Sequence, residues 1–231
     1  RRMHILLPTV RASRHGGLLE IALSGFNQGT ARALRREIDR AEREMGSNLK
    51  GIILDMRGNP GGLLDQAVAV ADLFLDRGRI VSTKGRHTES NQIFDATPGA
   101  VAHGVPIAVL INGRSASAAE IVAVALRDAN RAVLVGSTTF GKGTVQTIAR
   151  LPNGGEMTLT WARLFAPSGQ TLDRQGIVPA LCTSGSAEAG VERTERRPRG
   201  CSLVMPPVNG RRRYSRGHRR PGRRTRPSAG R

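Results

Sequence analysis

Serine is the residue type in this sequence best placed to carry covalent chemistry. The segment 115–120 (SASAAE) follows an apolar run and opens an alanine-rich stretch predicted as a helix over 115–129. A serine at a strand-to-helix junction is exposed at the carboxyl edge of a sheet, and the next N–H is free to face a substrate. This pattern is typical of a nucleophile with half of an oxyanion hole. The alternative is that Ser115 or Ser117 only caps the helix, with Glu120 as its capping-box partner.

Lys142 is the candidate general base. It lies between Gly141 and Gly143, shortly after an apolar strand predicted over 132–136. A lysine packed against apolar neighbours loses solvation of its ammonium form, and a neutral lysine can take the proton of a serine hydroxyl. The alternative is a phosphate-binding or simply exposed loop lysine. No histidine lies near a motif, so a Ser-His-Asp triad is disfavoured.

A glycine-rich loop, RGNPGG at 57–62, lies between a predicted buried strand over 49–56 and a predicted helix over about 63–76. Its glycines let backbone N–H groups approach a bound group, and the helix N-terminus adds partial positive charge. The loop therefore suits an oxyanion or a phosphate. It matches neither GxGxxG nor a P-loop, so nucleotide binding is weakly supported. The alternative is that the loop serves only as a tight turn from strand to helix.

Together and in this order, these motifs resemble the carboxyl-terminal processing (tail-specific) peptidases, which are serine peptidases with a Ser-Lys catalytic pair. Each motif alone is weak, but the set in order is specific, and the resemblance covers about residues 1–180. The matching segments are GIILDMRGNPGG (51–62), LINGRSASAAEI (110–121), RAVLVGSTTFGKGTVQ (131–146) and the stretch 157–179 with LFAPSG and GIVP.

The resemblance implies roles for five residues. Ser117 matches the nucleophile, and Lys142, 25 residues later, matches the general base. Gln146 matches a residue that orients the lysine in some members. The oxyanion donors are expected to be Gly62 and the N–H of Ala118.

Asp128 falls where some relatives have an acidic residue that is important for activity. The other interpretation of Asp128 is a surface charge at the end of a helix.

The resemblance also implies polypeptide substrates cut near their C-terminal ends, an activating adaptor or homo-oligomer as further partner, and a location in the periplasm or cell envelope. No metal or organic cofactor is implied. Family members usually carry an N-terminal PDZ domain, and this chain is expected to start after it.

Three other function classes compete with a peptidase, and one of them is a nucleic-acid-binding protein that acts through the basic residues 191–231. A crotonase-type acyl-CoA enzyme also places glycine-rich oxyanion loops at strand-to-helix turns, but such sites usually rely on Glu or Asp rather than a serine and a lysine. An inactive scaffold would be favoured if Ser117 or Lys142 were replaced, and neither is.

The alternation of apolar strands with helical patterns predicts an α/β fold with a largely parallel central sheet and flanking helices. Strands are expected over 18–23, 79–83 and 105–111, and a helix is expected over about 30–45. A C-terminal β-hairpin is expected from 145–151 and 156–165, joined by Pro-Asn-Gly-Gly. The polar stretch 84–103 has no clear period. The resemblance implies that the core is a ClpP/crotonase-like peptidase fold.

Charge separates the chain into two parts. The 231 residues carry a net charge of +18, and arginine supplies 33 of the 36 positive residues. Residues 191–231 alone hold 14 Arg and two Glu, a composition that favours disorder. We therefore predict a peptidase core over 1–182 and a disordered Arg-rich tail over 183–231. The tail is either a solvated segment or a polybasic arm that contacts nucleic acid or anionic membrane without specificity.

Overall fold

The computed structural model describes residues 7–183, and the bounds of the elements in that part of the chain are as follows. The helices are α1 (Thr30–Met45), α2 (Leu64–Asp72) and α3 (Ala118–Asp128), with short 3-10 helices at Gly46–Asn48 and Thr88–Ser90. The strands are β1 (Val10–His15), β2 (Leu18–Leu23), β3 (Gly51–Asp55), β4 (Arg79–Lys84), β5 (Gln92–Asp95), β6 (Ile107–Ile111), β7 (Ala132–Gly136), β8 (Thr144–Arg150), β9 (Glu156–Phe165) and β10 (Leu181–Cys182).

Six strands form the central sheet, in the order β1-β2-β3-β6-β7-β10. β1 and β2 pair antiparallel, and all the other neighbours in this sheet pair parallel. The predicted α/β fold with a largely parallel central sheet is therefore confirmed. Because the carboxyl ends of parallel strands meet at one edge, the loops after β3, β6 and β7 come together there. These loops contain the three motifs on which the functional prediction depends.

The helices bury apolar faces with the expected spacing. In α1, Leu34, Ile38 and Ala41 are fully buried, a recurrence of three to four residues that matches the helical turn. α3 is buried along its whole first part, from Ala118 to Leu126. Its alanines allow close approach, and it packs against α2, β4 and β7. The nucleophile candidate thus lies at the start of the most deeply buried helix in the described residues.

The second sheet is antiparallel, with strands in the order β5-β4-β9-β8. The predicted hairpin corresponds to β8 and β9, and the Leu151 N–H donates to the Gly155 carbonyl at 2.8 Å to close its turn. The register shifts between Val145 and Gln146, where β9 contains a bulge with Trp161 as the extra residue. Within residues 7–183, β5 and β8 are the two edges of this sheet.

Several boundaries differ from the expectation. The second helix ends at Asp72 instead of about residue 76 because the chain tightens into a turn. There, the N–H groups of Phe74 and Leu75 donate to carbonyls three residues back, at 3.1 and 3.2 Å, which is 3-10 rather than α geometry. The third helix begins at Ala118 rather than at residue 115.

Three strands escaped prediction: β1, β5 and the two-residue β10. β5 lies in the polar stretch that showed no period, and it forms through pairing with β4.

The predicted tail, apart from Thr183, lies outside the described residues. Among residues 7–183, no helix is long and apolar enough to cross a membrane. In the same range, no group of three or more His, Cys, Asp or Glu is placed to hold a metal ion.

Candidate active site

The turn between β6 and α3 distinguishes its two serines. Ser115 is fully buried; its Oγ donates to the Met56 carbonyl at 2.8 Å and accepts from the Asn112 N–H at 3.0 Å. Ser117 is only partly buried and has φ 55° and ψ −114°, a conformation that L residues rarely adopt. Ser115 therefore joins two loops of the site, whereas Ser117 is held in the unusual backbone geometry typical of functional positions.

The loop after β3 is anchored beneath this turn by Asn59, which is fully buried. Its Nδ2 donates to the Leu23 carbonyl at 2.8 Å, and its Oδ1 accepts from the Gly61 N–H at 2.9 Å. Its own carbonyl accepts from the Ala116 N–H at 2.9 Å. The side chain and backbone of Asn59 thus connect three segments: β2, the glycine loop (57–62) and the serine turn (112–117).

An ion pair closes the other side of the glycine loop. Arg57 donates to both carboxylate oxygens of Asp55, at 2.9 and 2.6 Å, and its backbone N–H donates to the same carboxylate at 3.0 Å. Burial opposes ionisation of Asp55, but these hydrogen bonds hold the pKa of Asp55 below its ordinary value. The chain is thereby fixed where it leaves β3.

Gly61 and Gly62 allow the glycine loop to approach the serine turn. Gly61 has φ 101°, and a Cβ there would lie 2.8 Å from the Ala116 carbonyl oxygen and 2.9 Å from the Ser117 Cβ. Gly62 has φ 147° and lies against the backbone of Phe26. In the part of the chain that the structure describes, neither the Gly62 N–H nor the Ala118 N–H donates to another group. Both donors are available to a bound oxyanion.

We expect Gly61→Ala to lower turnover at this site by about 100-fold, because the added methyl group must displace the turn that carries Ser117. Gly58→Ala is the matched control: Gly58 lies in the same loop with φ 71°, but a Cβ there would meet no atom within 4 Å. Hydrolysis rates and thermal unfolding of both variants check the prediction. Equal rates for the two variants would contradict it.

The carboxylate of Glu120 joins the serine turn to the loop between β7 and β8, which carries Lys142 (137–143, the lysine loop). Glu120 is fully buried. Its Oε2 accepts from the N–H groups of Ser117 at 2.8 Å and Lys142 at 2.9 Å. Its Oε1 accepts from the Thr139 hydroxyl at 2.5 Å and the Gly141 N–H at 2.8 Å. The sequence suggested Glu120 only as a capping-box partner of Ser117, which accounts for one of these four donors.

A cavity of about 290 Å³ brings five of the predicted residues together. Lys142 and Gln146 are exposed, so the expectation that apolar neighbours bury the lysine is wrong. The remaining walls are mainly apolar. The cavity is lined by Gly62, Leu63, Leu64, Ser117, Ala118, Ile121, Lys142, Thr144, Val145, Gln146 and Leu164.

Asp128 is the predicted residue that does not line this cavity. It lies at the far end of α3 from Ser117, and the 11 residues of this helix span about 16 Å. Its carboxylate pairs with Arg127 at 2.8 Å and accepts from the Ser168 N–H at 3.2 Å. It borders a different cavity of about 760 Å³. These contacts are those of a residue at a helix end.

We therefore expect Asp128→Asn to leave kcat/KM within about threefold of the wild-type value, because the substitution is remote from the cavity and nearly isosteric. A modest loss of thermal stability should accompany it as the pair with Arg127 is lost. Steady-state hydrolysis and thermal unfolding test both expectations. A loss of 100-fold or more in kcat/KM with unchanged unfolding would contradict this interpretation.

Comparison with known proteins covers the part of the chain that holds this site. The model of peptidase family S41 matches residues 17–181, which include both the serine turn and the lysine loop. The chain belongs to peptidase family S41. The resemblance inferred from the motifs is confirmed at the level of the family.

Family S41 relatives include named processing proteases. The chain is 44% identical over 178 residues to the carboxy-terminal-processing protease of Bartonella bacilliformis, covering 77% of this chain and 41% of that protein. It is 39% identical over 162 residues to the carboxy-terminal processing protease CtpA of Bacillus subtilis, covering 70% and 34%. The chain thus spans about two fifths or less of the length of these relatives.

Two solved structures of other proteins share the fold of this chain. The photosystem II D1 C-terminal processing protease superimposes with a TM-score of 0.68 at 28% identity, covering 78% of this chain and 50% of that one. An S41 protease from Bacteroides fragilis superimposes with a TM-score of 0.65 at 20% identity, which supports the fold alone.

Proposed function

We propose that this chain is the catalytic core of a serine endopeptidase that cleaves polypeptides near their C-terminal ends by a Ser-Lys acyl-enzyme mechanism. The observation that carries the proposal is that Ser117, Lys142 and the N–H groups of Gly62 and Ala118 meet at one cavity, and that neither N–H donates to another group within residues 7–183. Membership of a peptidase family favours this function over a crotonase-type acyl-CoA enzyme. We further propose that the protein works in the periplasm or cell envelope, as the family resemblance implies.

The reaction begins with proton transfer from the Ser117 Oγ to neutral Lys142 as the oxygen attacks a peptide carbonyl carbon. The tetrahedral oxyanion lies between the N–H groups of Gly62 and Ala118, which point at charge that develops only in the transition state. The lysine then gives its proton to the leaving amine. Water hydrolyses the ester and restores the serine.

The substrate supplies part of the environment that Lys142 needs. The Lys142 side chain is exposed where it lines the cavity. A polypeptide seated in the cavity would cover the amine and exclude water from it, which is the desolvation that a lysine base requires. Gln146 lines the same cavity, and we assign it the role of orienting the lysine amine. Activity would thus depend on seating the substrate fully, a step that an adaptor or self-association could control.

The apolar walls of the cavity suit a small or apolar side chain next to the scissile bond. Leu164 and Ile121 are almost fully buried, and Leu63 and Val145 also line the cavity. A charged side chain placed among these apolar groups would lose most of its solvation. We therefore expect cleavage beside alanine or valine in preference to aspartate or lysine.

The test is hydrolysis of an unfolded protein with an apolar C-terminus by the wild-type chain, Ser117→Ala and Ser115→Ala. Circular dichroism must show that each variant is folded. We expect no cleavage by Ser117→Ala, whereas a folded Ser115→Ala retains measurable cleavage because Ser115 serves the scaffold. Cleavage by Ser117→Ala at the wild-type rate, or no cleavage by the wild-type chain, would contradict the proposal.

A further inference from the structure

A segment that follows the second sheet lies directly against the lysine loop. We call residues 171–177 the supporting segment. It starts beside the end of β9, where the Leu172 N–H donates to the Leu164 carbonyl at 3.3 Å. It ends shortly before β10, which pairs parallel with β7. The supporting segment therefore runs from the antiparallel sheet to the central sheet along the loop that carries Lys142.

Three hydrogen bonds join the supporting segment to the lysine loop. The Arg174 N–H donates to the Gly141 carbonyl at 2.8 Å, and the Thr139 N–H donates to the Ile177 carbonyl at 3.2 Å. The Ile177 N–H in turn donates to the Thr139 hydroxyl oxygen at 2.7 Å. The lysine loop is thus bonded to a segment that is distant from it in the chain.

The glycines on either side of Lys142 are where the two backbones come closest. A Cβ at Gly141 would lie 2.8 Å from the Gly176 nitrogen, and a Cβ at Gly143 would overlap the Asp173 backbone. The supporting segment therefore occupies the space that side chains at these two positions would need, and only glycine fits there. Of the residues 141–143, Lys142 alone carries a side chain, and that side chain lines the cavity.

Two further contacts fix the backbone around the lysine. The carboxylate of Glu120 accepts from the Gly141 and Lys142 N–H groups, at 2.8 and 2.9 Å. The Leu164 N–H donates to the Gly143 carbonyl at 2.8 Å. A lysine side chain is a flexible four-carbon stem, so the reach of its amine depends on where this backbone is held.

The supporting segment is itself held in an unusual backbone conformation. Arg174 has φ 59° and Gly176 has φ 64°, and residues other than glycine rarely adopt a positive φ. Such a conformation persists where the surrounding structure imposes it. The Arg174 side chain is exposed, whereas its N–H is bonded to the lysine loop. A Cβ at Gly176 would overlap the Thr139 carbonyl oxygen, so the turn and the loop fit each other closely.

We infer that the supporting segment positions Lys142 for proton transfer, and that Arg174 and Gly176 are positioning residues although neither lines the cavity. The inference rests on the proposed function, in which Lys142 is the base, and adds what sets the place of that base. A base must come within hydrogen-bond reach of the Ser117 Oγ, and a displacement of about 1 Å can cost about 100-fold in rate. A shift of the supporting segment reaches the lysine because the two backbones are in direct contact.

Gly176→Ala tests the inference, with Gly169→Ala as the matched control. Both glycines have a positive φ, 64° and 84°, but a Cβ at Gly169 would meet no atom within 4 Å. In hydrolysis of the unfolded substrate, we expect Gly176→Ala to lower kcat by about 100-fold and to change KM by less than about threefold. Gly169→Ala should keep both within about threefold. Equal kcat values for the two folded variants would overturn the inference.

Arg174 provides a second pair of variants, which keeps the test decisive if Gly176→Ala does not fold. Arg174→Val and Arg174→Gly both remove the exposed guanidinium and keep the N–H that donates to Gly141. Valine is β-branched and disfavours a positive φ, whereas glycine adopts it freely. We expect kcat to fall by about 10-fold or more in Arg174→Val and to stay within about threefold in Arg174→Gly. Equal values in this pair would show that the conformation of the turn is irrelevant and would overturn the inference.

A role exercised through Lys142 predicts that the loss disappears when the lysine is absent. Gly176→Ala is therefore also made in the Lys142→Ala background, and the rate at which a fluorophosphonate labels Ser117 is measured. We expect a further loss of less than about threefold in this background, against about 100-fold in the wild-type background. A further loss as large as that in the wild-type background would assign the segment a general structural role and overturn the inference.

Hydrogen exchange separates failure of this inference from failure of the proposed function, because it requires no activity. We expect the Gly141 and Lys142 amides to exchange about 10-fold faster in Gly176→Ala than in the wild-type chain. Faster exchange, combined with a wild-type chain that cleaves nothing, would overturn the peptidase proposal and leave the support of the lysine loop intact. Cleavage that depends on Ser117, combined with unchanged exchange and unchanged kcat in Gly176→Ala, would overturn this inference alone.

Discussion

Replacing Lys142 with alanine should lower kcat/KM by about 1,000-fold while the protein stays folded. A positioned general base contributes about 10²–10⁴-fold, and among the residues lining the cavity Lys142 is the one ionisable side chain. The substitution keeps the backbone N–H that donates to Glu120 at 2.9 Å, so the lysine loop retains its anchor. Because Lys142 is exposed, the midpoint of thermal unfolding should change little.

Lys84→Ala is the matched control for this prediction. Lys84 is also exposed, but it ends β4 and lies over the ring of Phe165 at 5.5 Å, away from the lining of the cavity that contains Ser117. We expect it to retain kcat/KM within a few fold. Hydrolysis of the same unfolded substrate measures both variants. A Lys142→Ala protein with wild-type turnover would exclude the lysine as the base.

Glu120→Gln should have the second largest effect, a fall of about 100-fold in kcat together with lower stability. The amide keeps one oxygen, but its NH₂ group must face two of the four donors that the carboxylate now accepts. Either Ser117 and Lys142 or Thr139 and Gly141 lose their acceptor. An unsatisfied buried group costs about 1–3 kcal/mol, and displacement of reacting groups by about 1 Å can cost 100-fold in rate.

Glu120 is a positioning residue, because it acts through the two loops and does not line the cavity. To separate this role from a merely structural one, kcat and KM of the variant are measured separately at a temperature where it is fully folded. We expect kcat to fall and KM to change little, since the apolar walls of the cavity remain. Thr139→Val, which removes one donor, should show a smaller loss of the same kind. Full kcat in folded Glu120→Gln would contradict the role.

The sequence was sufficient to predict how the site assembles. Apolar runs ending in glycine- or serine-rich loops indicated parallel strands, and parallel strands bring their following loops to one edge. Ser117, Lys142 and Gly62 are separated by up to 80 residues in the chain, yet they line one cavity. The order and spacing of the motifs carried this information, because each motif follows a buried strand.

The links between the loops could not be predicted in the same way. Thr139 donates to Glu120 and also accepts from the Ile177 N–H at 2.7 Å, and Asn59 connects three segments of the chain. Such contacts depend on how loops lie in three dimensions, which spacing does not encode. The burial of Lys142 was predicted wrongly for a related reason: glycine neighbours leave a side chain open until another molecule covers it.

Chemical labelling of the nucleophile tests the central claim most directly. The wild-type chain, Ser117→Ala and Lys142→Ala are treated with a fluorophosphonate, and the modified residue is located by mass spectrometry of peptides. We predict an adduct on Ser117 in the wild-type chain, none on this segment in Ser117→Ala, and labelling slowed by about 100-fold or more in Lys142→Ala. An adduct on Ser115, or hydrolytic activity that survives with Ser117 unmodified, would contradict the account.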